Sequence, residues 1–222
     1  MEKIPIGVVT SITGCANNSW ILEGKANHAG TTPMHMRSDA LVAFSEICAS
    51  ISGTIAAHGC SENSRMTIGK VDVEPNFPHT VAGRVEFTLI TRDENESRMK
   101  KLIDVFSELV DEICQKHKVK SKMNDKTASF LTPVVLDEKN VDQLCNEAEK
   151  ANMKYRKMPS GAGHDTQMLQ SICPSCMIFI PSQNGLSHAP GEFTAWEDVE
   201  TGCQLLLNFL ITKCTEKNMK GC

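Results

Sequence analysis

Residues 83–117, "GRVEFTLITRDENESRMKKLIDVFSELVDEICQKH", decide the fold because the spacing of their apolar residues changes once within the stretch. In the first part, apolar and polar residues alternate with a period of two, which is typical of a β-strand with one buried face. In the second part, apolar residues recur at intervals of three and four, which predicts an amphipathic helix ending near His117. The stretch therefore predicts a strand followed directly by a helix.

The segments on either side extend this pair to the order β-α-β-β-α-β. Residues 64–76 alternate in the same way and are joined to residues 83–94 by a turn with Pro and His, which predicts an antiparallel pair. Residues 38–59 have helical spacing, with Ser38 or Asp39 available as the N-cap, and residues 17–27 and 118–131 resemble strands. We therefore expect residues 16–131 to form a ferredoxin-like sandwich, with two helices on one face of a four-stranded antiparallel sheet.

The rest of the chain predicts a layer in which helices alternate with short buried strands. After a boundary near Pro133, the pattern indicates a helix at about 138–151, a strand at 155–160, a loop and helix at 161–171, a strand at 177–182 and a helix at about 196–213. Two or three strands are too few for an independent sheet with helices on both faces. The fold class is thus α/β, with a complete α+β sandwich, a junction at residues 1–15 and a partial α/β layer at 132–222.

Composition and charge restrict the function. The net charge is -4, from 23 basic and 27 acidic residues, and no basic run exceeds "RMKK", so nucleic acid is not an expected partner. The start of the chain has neither a basic region nor an apolar run long enough for a signal, and no run approaches about 18 apolar residues. We therefore expect a cytoplasmic protein without a membrane partner.

The ten cysteines, at positions 15, 48, 60, 114, 145, 173, 176, 203, 214 and 222, are scattered through the chain. Scattered cysteines without a secretion signal indicate reduced thiols. Cys173 and Cys176 have C-x-x-C spacing, but they precede a strand-like run instead of opening a helix, which disfavours a redox or zinc role.

Two loops combine His with Gly and small polar residues, which suits binding better than a core. They are "KANHAGTTPMHMR", residues 25–37, and "MPSGAGHDTQM", residues 158–168. In the second loop, Gly161 and Gly163 allow close approach of the backbone to a ligand, and the following helix would favour an anionic group at its first turn.

These loops, with "VEPNFPHTVAGRVEFTLITR" (73–92) and "MIFIPSQNGLSHAPGE" (177–192), resemble one family. It is the N-carbamoyl-L-amino-acid hydrolase and allantoate amidohydrolase branch of the dinuclear zinc amidohydrolases, related to aminoacylase and carboxypeptidase G. The resemblance implies that residues 16–131 are a dimerising lid and that residues 132–222 close the catalytic domain. The family's first catalytic half, which carries most metal ligands, has no counterpart here.

The resemblance also implies roles for single residues of the lid. His28 matches the histidine that reaches across the dimer to polarise the scissile carbonyl, although a histidine that stabilises the turn remains an alternative. Arg92 matches the arginine that binds the substrate carboxylate, with a surface salt bridge as the alternative. His79 stands where the family usually has a substrate-binding Asn, which leaves the specificity open, and Asn76 is expected to form the turn itself.

Further roles are implied for the second half of the chain. Gly161, Gly163 and His164 would line the substrate, and Asp165 would either orient this loop with His164 or cap the helix. His188 matches a metal ligand, with a loop histidine that binds no metal as the alternative. Glu192 would orient the His188 imidazole.

We therefore expect part of an amidohydrolase that cleaves linear C–N bonds of ureido or N-carbamoyl amino acids with zinc or manganese. One imidazole cannot hold a catalytic metal, so the chain is expected to be inactive alone. The partners would be a second copy, through the lid, and a small ureido substrate. The alternatives are a non-catalytic dimerisation module and a fragment or truncated form of a full enzyme.

Overall fold

The computed structural model describes residues 4–58 and 61–219, with side chains described as far as residue 215. The elements are, in chain order, β1 (Ile6–Ile12), β2 (Cys15–Glu23), β3 (Asn27–His28), α1 (Ala40–Ala57), β4 (Arg65–Glu74), β5 (Thr80–Val81), β6 (Arg84–Arg92), α2 (Glu96–Lys116), β7 (Lys120–Met123), β8 (Ser129–Leu131), β9 (Val134–Val135), α3 (Glu138–Lys150), β10 (Tyr155–Ser160), α4 (Thr166–Leu169), β11 (Met177–Phe179) and α5 (Trp196–Met219).

The chain forms two compact units. Thr13–Pro133 form one, which we call the sandwich unit, and the described residues before and after it form the other, the terminal unit. The predicted boundaries at 16 and 131 lie three and two residues inside the sandwich unit.

The sandwich unit has the predicted β-α-β-β-α-β order. Its sheet runs β4-β6-β2-β7, and β6 pairs antiparallel with both β4 and β2. Asp39 caps α1 by accepting from the amides of Leu41 and Val42, and Asn95 caps α2 by accepting from the Arg98 amide. The expected antiparallel pair and the α/β fold class are confirmed.

Both long helices pack on the same face of this sheet. Trp20 of β2 stacks on Phe87 of β6 with ring centroids 5.6 Å apart and meets Phe106 of α2 edge-on at 5.3 Å. Phe44 of α1 contacts Phe87 at 5.2 Å. Aromatic pairs of this kind add about 0.5–1.5 kcal/mol each beyond the area they bury. The predicted placement of the helices is confirmed.

The last strand of the sandwich unit differs from the expectation. Residues 118–131 form two short strands, β7 and β8, separated by a 3-10 turn over Asp125–Thr127. Both strands pair with β2, and the Asn124 amide donates to the Ser19 carbonyl at 2.8 Å between them. The break lets one segment follow β2 along most of its length.

The terminal unit is built around β1, which the sequence analysis left in a junction. β1 pairs parallel with β10 and antiparallel with β11 and β9. Residues 6–9 are buried in succession, so both faces of β1 are covered. A strand covered on both faces shows an apolar run without alternation, and that run gave no period-two signal.

Helices α3 and α5 complete the core of the terminal unit. Val141 and Leu144 of α3 and Leu205 and Phe209 of α5 pack with β1. The predicted helix at 138–151 is confirmed, while α5 runs to Met219, beyond the expected end. The expected helix after the glycine loop is one turn only, α4.

By length and composition α1 could cross a membrane, and it is the one described helix that could. Three residues of α1, Ala40, Ala43 and Ile47, are fully buried in the core of the sandwich unit. Packing therefore accounts for part of its apolar character. The absence of a membrane partner and the cytoplasmic location stay predictions.

The eight cysteines that the structure describes are free thiols. Cys60 and Cys222 lie outside the described residues. Cys173 is exposed and Cys176 half-buried, and both precede β11 rather than a helix, as the sequence indicated.

Candidate functional site

A two-stranded ribbon in the sandwich unit brings together the loops that carry His28 and His79. β3 pairs antiparallel with β5, with His28 opposite Thr80. The Ala29 amide donates to the His79 carbonyl at 2.9 Å. Two segments about 50 residues apart in the numbering therefore form one exposed edge with two imidazoles.

The His28 imidazole is held by the turn that it occupies, residues 27–32, which we call the His28 turn. The Gly30 amide donates to Nδ1 at 3.0 Å, and the Thr32 amide and hydroxyl donate to the His28 carbonyl at 3.2 and 2.8 Å. A neutral imidazole that accepts at Nδ1 carries its proton on Nε2. The side chain is exposed, and Nε2 makes no hydrogen bond within the described part of the chain. His28 thus stabilises the turn and also offers an outward N–H donor.

Arg37 closes the outer side of the His28 turn, a role that the sequence analysis missed. Its Nη2 donates to the Ala29 carbonyl at 2.5 Å and its Nε to the Thr32 carbonyl at 3.1 Å. The sequence signal was present, because Arg37 ends the same His-rich segment just before the cap of α1.

His79 is exposed beside Phe77, with the two rings edge-on at 5.8 Å. Asn76, in the same loop, has a φ of 48°, in the left-handed region that Asn tolerates, which fits the predicted turn role. The loop and the start of α1 enclose a cleft of about 380 Å³, lined by Asp39, Leu41, Val73, Asn76, Phe77, Pro78, Thr80 and Ala82.

Arg92 ends β6 and is half-buried. The buried Nη1 atom has no hydrogen-bond partner, and no ion pair of Arg92 is present among the described residues. The alternative of a surface salt bridge is therefore not seen in this part of the chain. Because a buried donor without a partner costs about 1–3 kcal/mol, this guanidinium is suited to an anionic ligand.

A buried carboxylate fixes the chain next to Arg92. Asp93 is fully buried and accepts from Arg98 Nη2 at 2.8 Å, from the Ser64 hydroxyl, and from the Asn95 amide at 2.7 Å. Burial acts to raise the pKa of Asp93, but the hydrogen bonds from Arg98, Ser64 and Asn95 outweigh it and leave the pKa below its ordinary value. Asp93 therefore stays ionised and joins the end of β6 to the start of α2.

His28 and Arg92 are attached to opposite ends of the same strand. The β3–β5 ribbon precedes Arg84, and eight residue steps of about 3.3 Å each, roughly 26 Å, lead from Arg84 to Arg92. Within one copy of the sandwich unit, the structure brings His28 to His79 but not to Arg92.

The glycine loop of the terminal unit is exposed and uncrowded. A Cβ atom on Gly161 would meet nothing within 4 Å, and one on Gly163 would meet only Gln167 Oε1 at 3.8 Å. No described neighbour therefore requires glycine there, so close approach of a ligand stays a prediction.

The sequence offered two roles for Asp165, and the structure shows a side-chain hydrogen bond of Asp165 for neither of them. Asp165 makes no side-chain cap bond, and instead the Thr166 amide donates to His164 Nδ1 at 3.1 Å. Thr166 Oγ1 also lies 2.8 Å from this nitrogen. His164 thus orders the loop as expected and takes over the capping role. The expected anion at the helix start stays a prediction, although α4 has a single turn and hence a small macrodipole.

His188 lies in an exposed loop with a backbone φ of 55°. The Glu192 carboxylate accepts from the His188 backbone amide at 2.8 Å. The expectation that Glu192 orients the imidazole is therefore not what the structure shows, because its hydrogen bond fixes the backbone of the loop. Glu192 also lines a cleft of about 1030 Å³ formed with the start of β1, the first part of β10 and the end of β11.

Zinc or manganese is the metal that the sequence motifs lead us to expect. No group of three or more His, Cys, Asp or Glu side chains that could hold a metal is found in residues 4–58 and 61–219. A catalytic zinc ordinarily takes three protein ligands and a water. The described donors of this chain therefore do not form such a site by themselves.

Residues 23–212 match the model of the Peptidase family M20/M25/M40. The chain belongs to this family. It is 34% identical over 209 residues to the N-carbamoyl-L-amino-acid amidohydrolase of Paenarthrobacter aurescens, covering 94% of this chain and 50% of that protein. It is 33% identical to the allantoate amidohydrolase of Bacillus subtilis, covering 95% and 50%.

The fold is likewise similar to that of a solved structure. An amidase of the hydantoinase/carbamoylase family from Burkholderia multivorans superimposes with a TM-score of 0.87 at 28% identity, over 95% of this chain and 50% of that one. The chain thus spans about half the length of the relatives that it matches. The resemblance stated from the sequence motifs is confirmed.

Proposed function

We propose that this chain is part of a metal-dependent amidohydrolase that cleaves linear C–N bonds of ureido or N-carbamoyl amino acids. The names of two relatives, an N-carbamoyl-L-amino-acid amidohydrolase and an allantoate amidohydrolase, support this substrate class. The observation that carries the proposal is the His28 turn, because its bond from Gly30 to Nδ1 leaves an N–H donor on the exposed side. Such a donor stabilises the negative charge that develops on a carbonyl oxygen during hydrolysis.

In this proposal, His28 and Arg92 recognise different ends of the substrate. The Arg92 guanidinium, with its unpaired buried Nη1, binds the α-carboxylate, for which a planar fork of donors is suited. The His28 Nε2–H donates to the scissile carbonyl oxygen, and His79, which directly precedes the adjacent strand of the ribbon, contacts the same end.

The two residues then act in different copies of a homodimer. The roughly 26 Å between the ends of β6 is far longer than a ureido amino acid, so one copy cannot present both groups to one molecule. β4 is an edge strand with unpaired backbone groups, and Leu41 and Val42 of α1 are exposed. An isologous pairing of these surfaces would place His28 of one copy with Arg92 of the other.

The terminal unit provides the glycine loop and His188, and we propose that further residues complete it. One side of α5 exposes four apolar residues, Leu206, Leu207, Leu210 and Ile211, at 41–57%. A helix that is apolar on both sides is normally buried on both. Because the relatives are about twice as long, the missing layer corresponds to the part of the family fold that this chain does not match, which would add metal ligands to His188.

A second candidate function is a non-catalytic dimerisation module. The observation in its favour is the lack of a three-donor metal cluster in the portion of the chain that is described. This function needs the sandwich unit but neither His28 nor His188. It therefore predicts that both histidines can be replaced without consequence.

A complementation assay distinguishes the two functions. The chain would be mixed with the half of the Bacillus subtilis allantoate amidohydrolase that it does not match, with zinc or manganese, and ammonia release from allantoate and N-carbamoyl amino acids measured. We expect turnover that His28→Ala lowers roughly 10²–10³-fold, as loss of an oxyanion donor does. His58→Ala, beyond the far end of α1, is the matched control and should leave the rate unchanged.

Two outcomes of this assay would contradict parts of the proposal. Absence of ammonia from the complemented chain with either metal and every substrate would contradict the proposed enzyme. Equal rates for His28→Ala and His58→Ala would contradict the role of His28.

A further inference from the structure

We propose that Arg37 is a positioning residue that holds the His28 turn, so that the Gly30 amide stays on Nδ1 and the Nε2–H donor points outward. Its effect on catalysis rests on the proposed function, but its effect on the imidazole does not. The inference rests on the two hydrogen bonds that Arg37 donates to carbonyls of the turn.

The guanidinium joins two carbonyls of the turn that accept no hydrogen bond from the turn itself. Inside the turn, Thr32 donates twice to the His28 carbonyl, which closes the loop at its base. The carbonyls of Ala29 and Thr32, on either side of Gly30, point to Arg37 instead. The Ala29 carbonyl and the Gly30 amide belong to one planar peptide group, so the bond from Arg37 to that carbonyl fixes the direction of the Gly30 N–H that donates to Nδ1. The bond to the Thr32 carbonyl holds the other end of the turn.

Arg37 can act in this way because the chain on both sides of it is anchored, at His35 and at Ser38. The Lys118 ammonium donates to the His35 carbonyl at 3.0 Å, and the Lys25 amide donates to the Ser38 carbonyl at 2.8 Å. The Ser38 hydroxyl donates to the Lys118 carbonyl. The guanidinium therefore connects an exposed turn to the folded body of the sandwich unit.

The chemistry requires arginine at this position. Its planar fork presents Nε and Nη2 in fixed directions, which suits two carbonyls on one edge. A lysine ammonium is a single point charge on a flexible stem and can hold only one of them well. Lysine should therefore replace arginine only in part.

Nuclear magnetic resonance of the full chain tests the proposal. The exchange rate of the Gly30 amide reports its hydrogen bond, and the ¹⁵N shift of His28 Nδ1 at a pH where the ring is neutral reports which nitrogen carries the proton. We expect Arg37→Ala to raise Gly30 exchange roughly tenfold, about the loss of one hydrogen bond, and to increase protonation of Nδ1. Arg37→Lys should give an intermediate value.

Arg65→Ala is the matched control. Arg65 also donates to backbone carbonyls of a turn in the sandwich unit, those of Glu62 and Ser64, but makes no contact with the His28 turn. Its replacement should leave Gly30 exchange and the His28 signal as in the wild type. If Arg37 had only a structural role, Arg37→Ala would lower the melting temperature without moving the Nδ1 signal.

Unchanged Gly30 exchange and Nδ1 shift in both Arg37 variants, or equal changes in Arg65→Ala, would overturn the proposal. Should Arg37→Ala fail to fold, the same comparison for Arg37→Lys decides it. In the complemented enzyme, a positioning role lowers kcat more than it raises KM. Altered spectra with unchanged kcat would leave the positioning of His28 intact and would instead contradict the proposed catalytic role of His28.

Discussion

The sandwich unit and the terminal unit differ in how completely they bury their apolar surfaces. In the sandwich unit, both helices cover one sheet face, and the largest side chains, such as Trp20 and Phe106, are at most 1% exposed. In the terminal unit, α5 buries Leu205 and Phe209 on one side and exposes Leu207 and Leu210 on the other. The sandwich unit buries its large apolar side chains within itself, whereas the terminal unit leaves an apolar face of α5 exposed.

This difference suggests separate roles for the two units. A closed sandwich can hold exposed groups such as His28 rigidly. An open layer buries its second apolar face only when another layer packs on it, and the exposed apolar side of α5 is suited to such packing. The function proposed here needs both properties.

We expect the largest change in the free energy of unfolding for one of the two tryptophans of the chain, which lie one in each unit. Trp20 is 1% exposed in the sandwich core and Trp196 is 77% exposed at the start of α5. Trp20→Ala should lower the free energy of unfolding by about 3–5 kcal/mol, because it leaves a large cavity. Trp196→Ala should change it by less than about 0.5 kcal/mol. Urea unfolding followed by circular dichroism measures both, and equal effects would show that the sandwich unit is not the better packed of the two.

An intermediate effect concerns Asp93. Its pKa is lowered in the folded state, so its contribution to stability is present above the unfolded pKa, near pH 4, and is lost as the pH falls through the folded value. Asp93→Asn should cost roughly 1.5–3 kcal/mol at pH 7, because the bonds from Arg98, Ser64 and the Asn95 amide lose their charge. The difference from the wild type should shrink below pH 4.

Asp142→Asn is the control for Asp93, since Asp142 forms an ion pair with Lys157 in which both side chains are about half exposed. Exposed pairs contribute about 0–1 kcal/mol. Urea unfolding at pH 7 and at pH 3 measures both variants. A difference between Asp93→Asn and the wild type that is as large at pH 3 as at pH 7 would show that the carboxylate charge is not the stabilising feature.

The smallest expected effect tests the open face of the terminal unit. Leu207→Glu on α5 should change the free energy of unfolding of the chain alone by less than about 0.5 kcal/mol, because the side chain is already 52% exposed. It should, however, prevent binding of the complementary half, as measured by sedimentation. Binding that survives in Leu207→Glu would mean that α5 is not the contact surface.

The sequence predicted the sandwich unit better than the terminal unit for a physical reason. The strands near Phe87 and the helix near Phe106 have one buried face each. In a half-buried element, apolar residues recur in the sequence with the period of that element. β1 is apolar on both faces and lacks that signal, whereas α5 was predicted as a helix and only its end was placed too early. The strands that pair with β1 are also more than 100 residues away, so no local pattern could indicate the pairing.

The sequence motifs indicated which residues form the candidate site, but they could not indicate the hydrogen bonds of those residues. The motifs pointed to His28, but they did not show that the Gly30 amide donates to its Nδ1 or that Arg37 donates to the Ala29 carbonyl. Likewise, spacing could not show that Glu192 binds the backbone amide of His188 or that His164 rather than Asp165 caps the next turn. The backbone conformation of each loop determines which groups form such hydrogen bonds, and residue types alone do not specify that conformation.

The central claim is that the site needs two copies of this chain as well as the complementary half. The most direct test measures ammonia release from a 1:1 mixture of His28→Ala and Arg92→Ala chains, each inactive alone, in the complemented assay. In a dimer that shares its sites, half of the molecules formed at random are mixed, and each has one intact site. The account therefore predicts about a quarter of the wild-type rate for the mixture. A mixture no more active than either variant alone would contradict it.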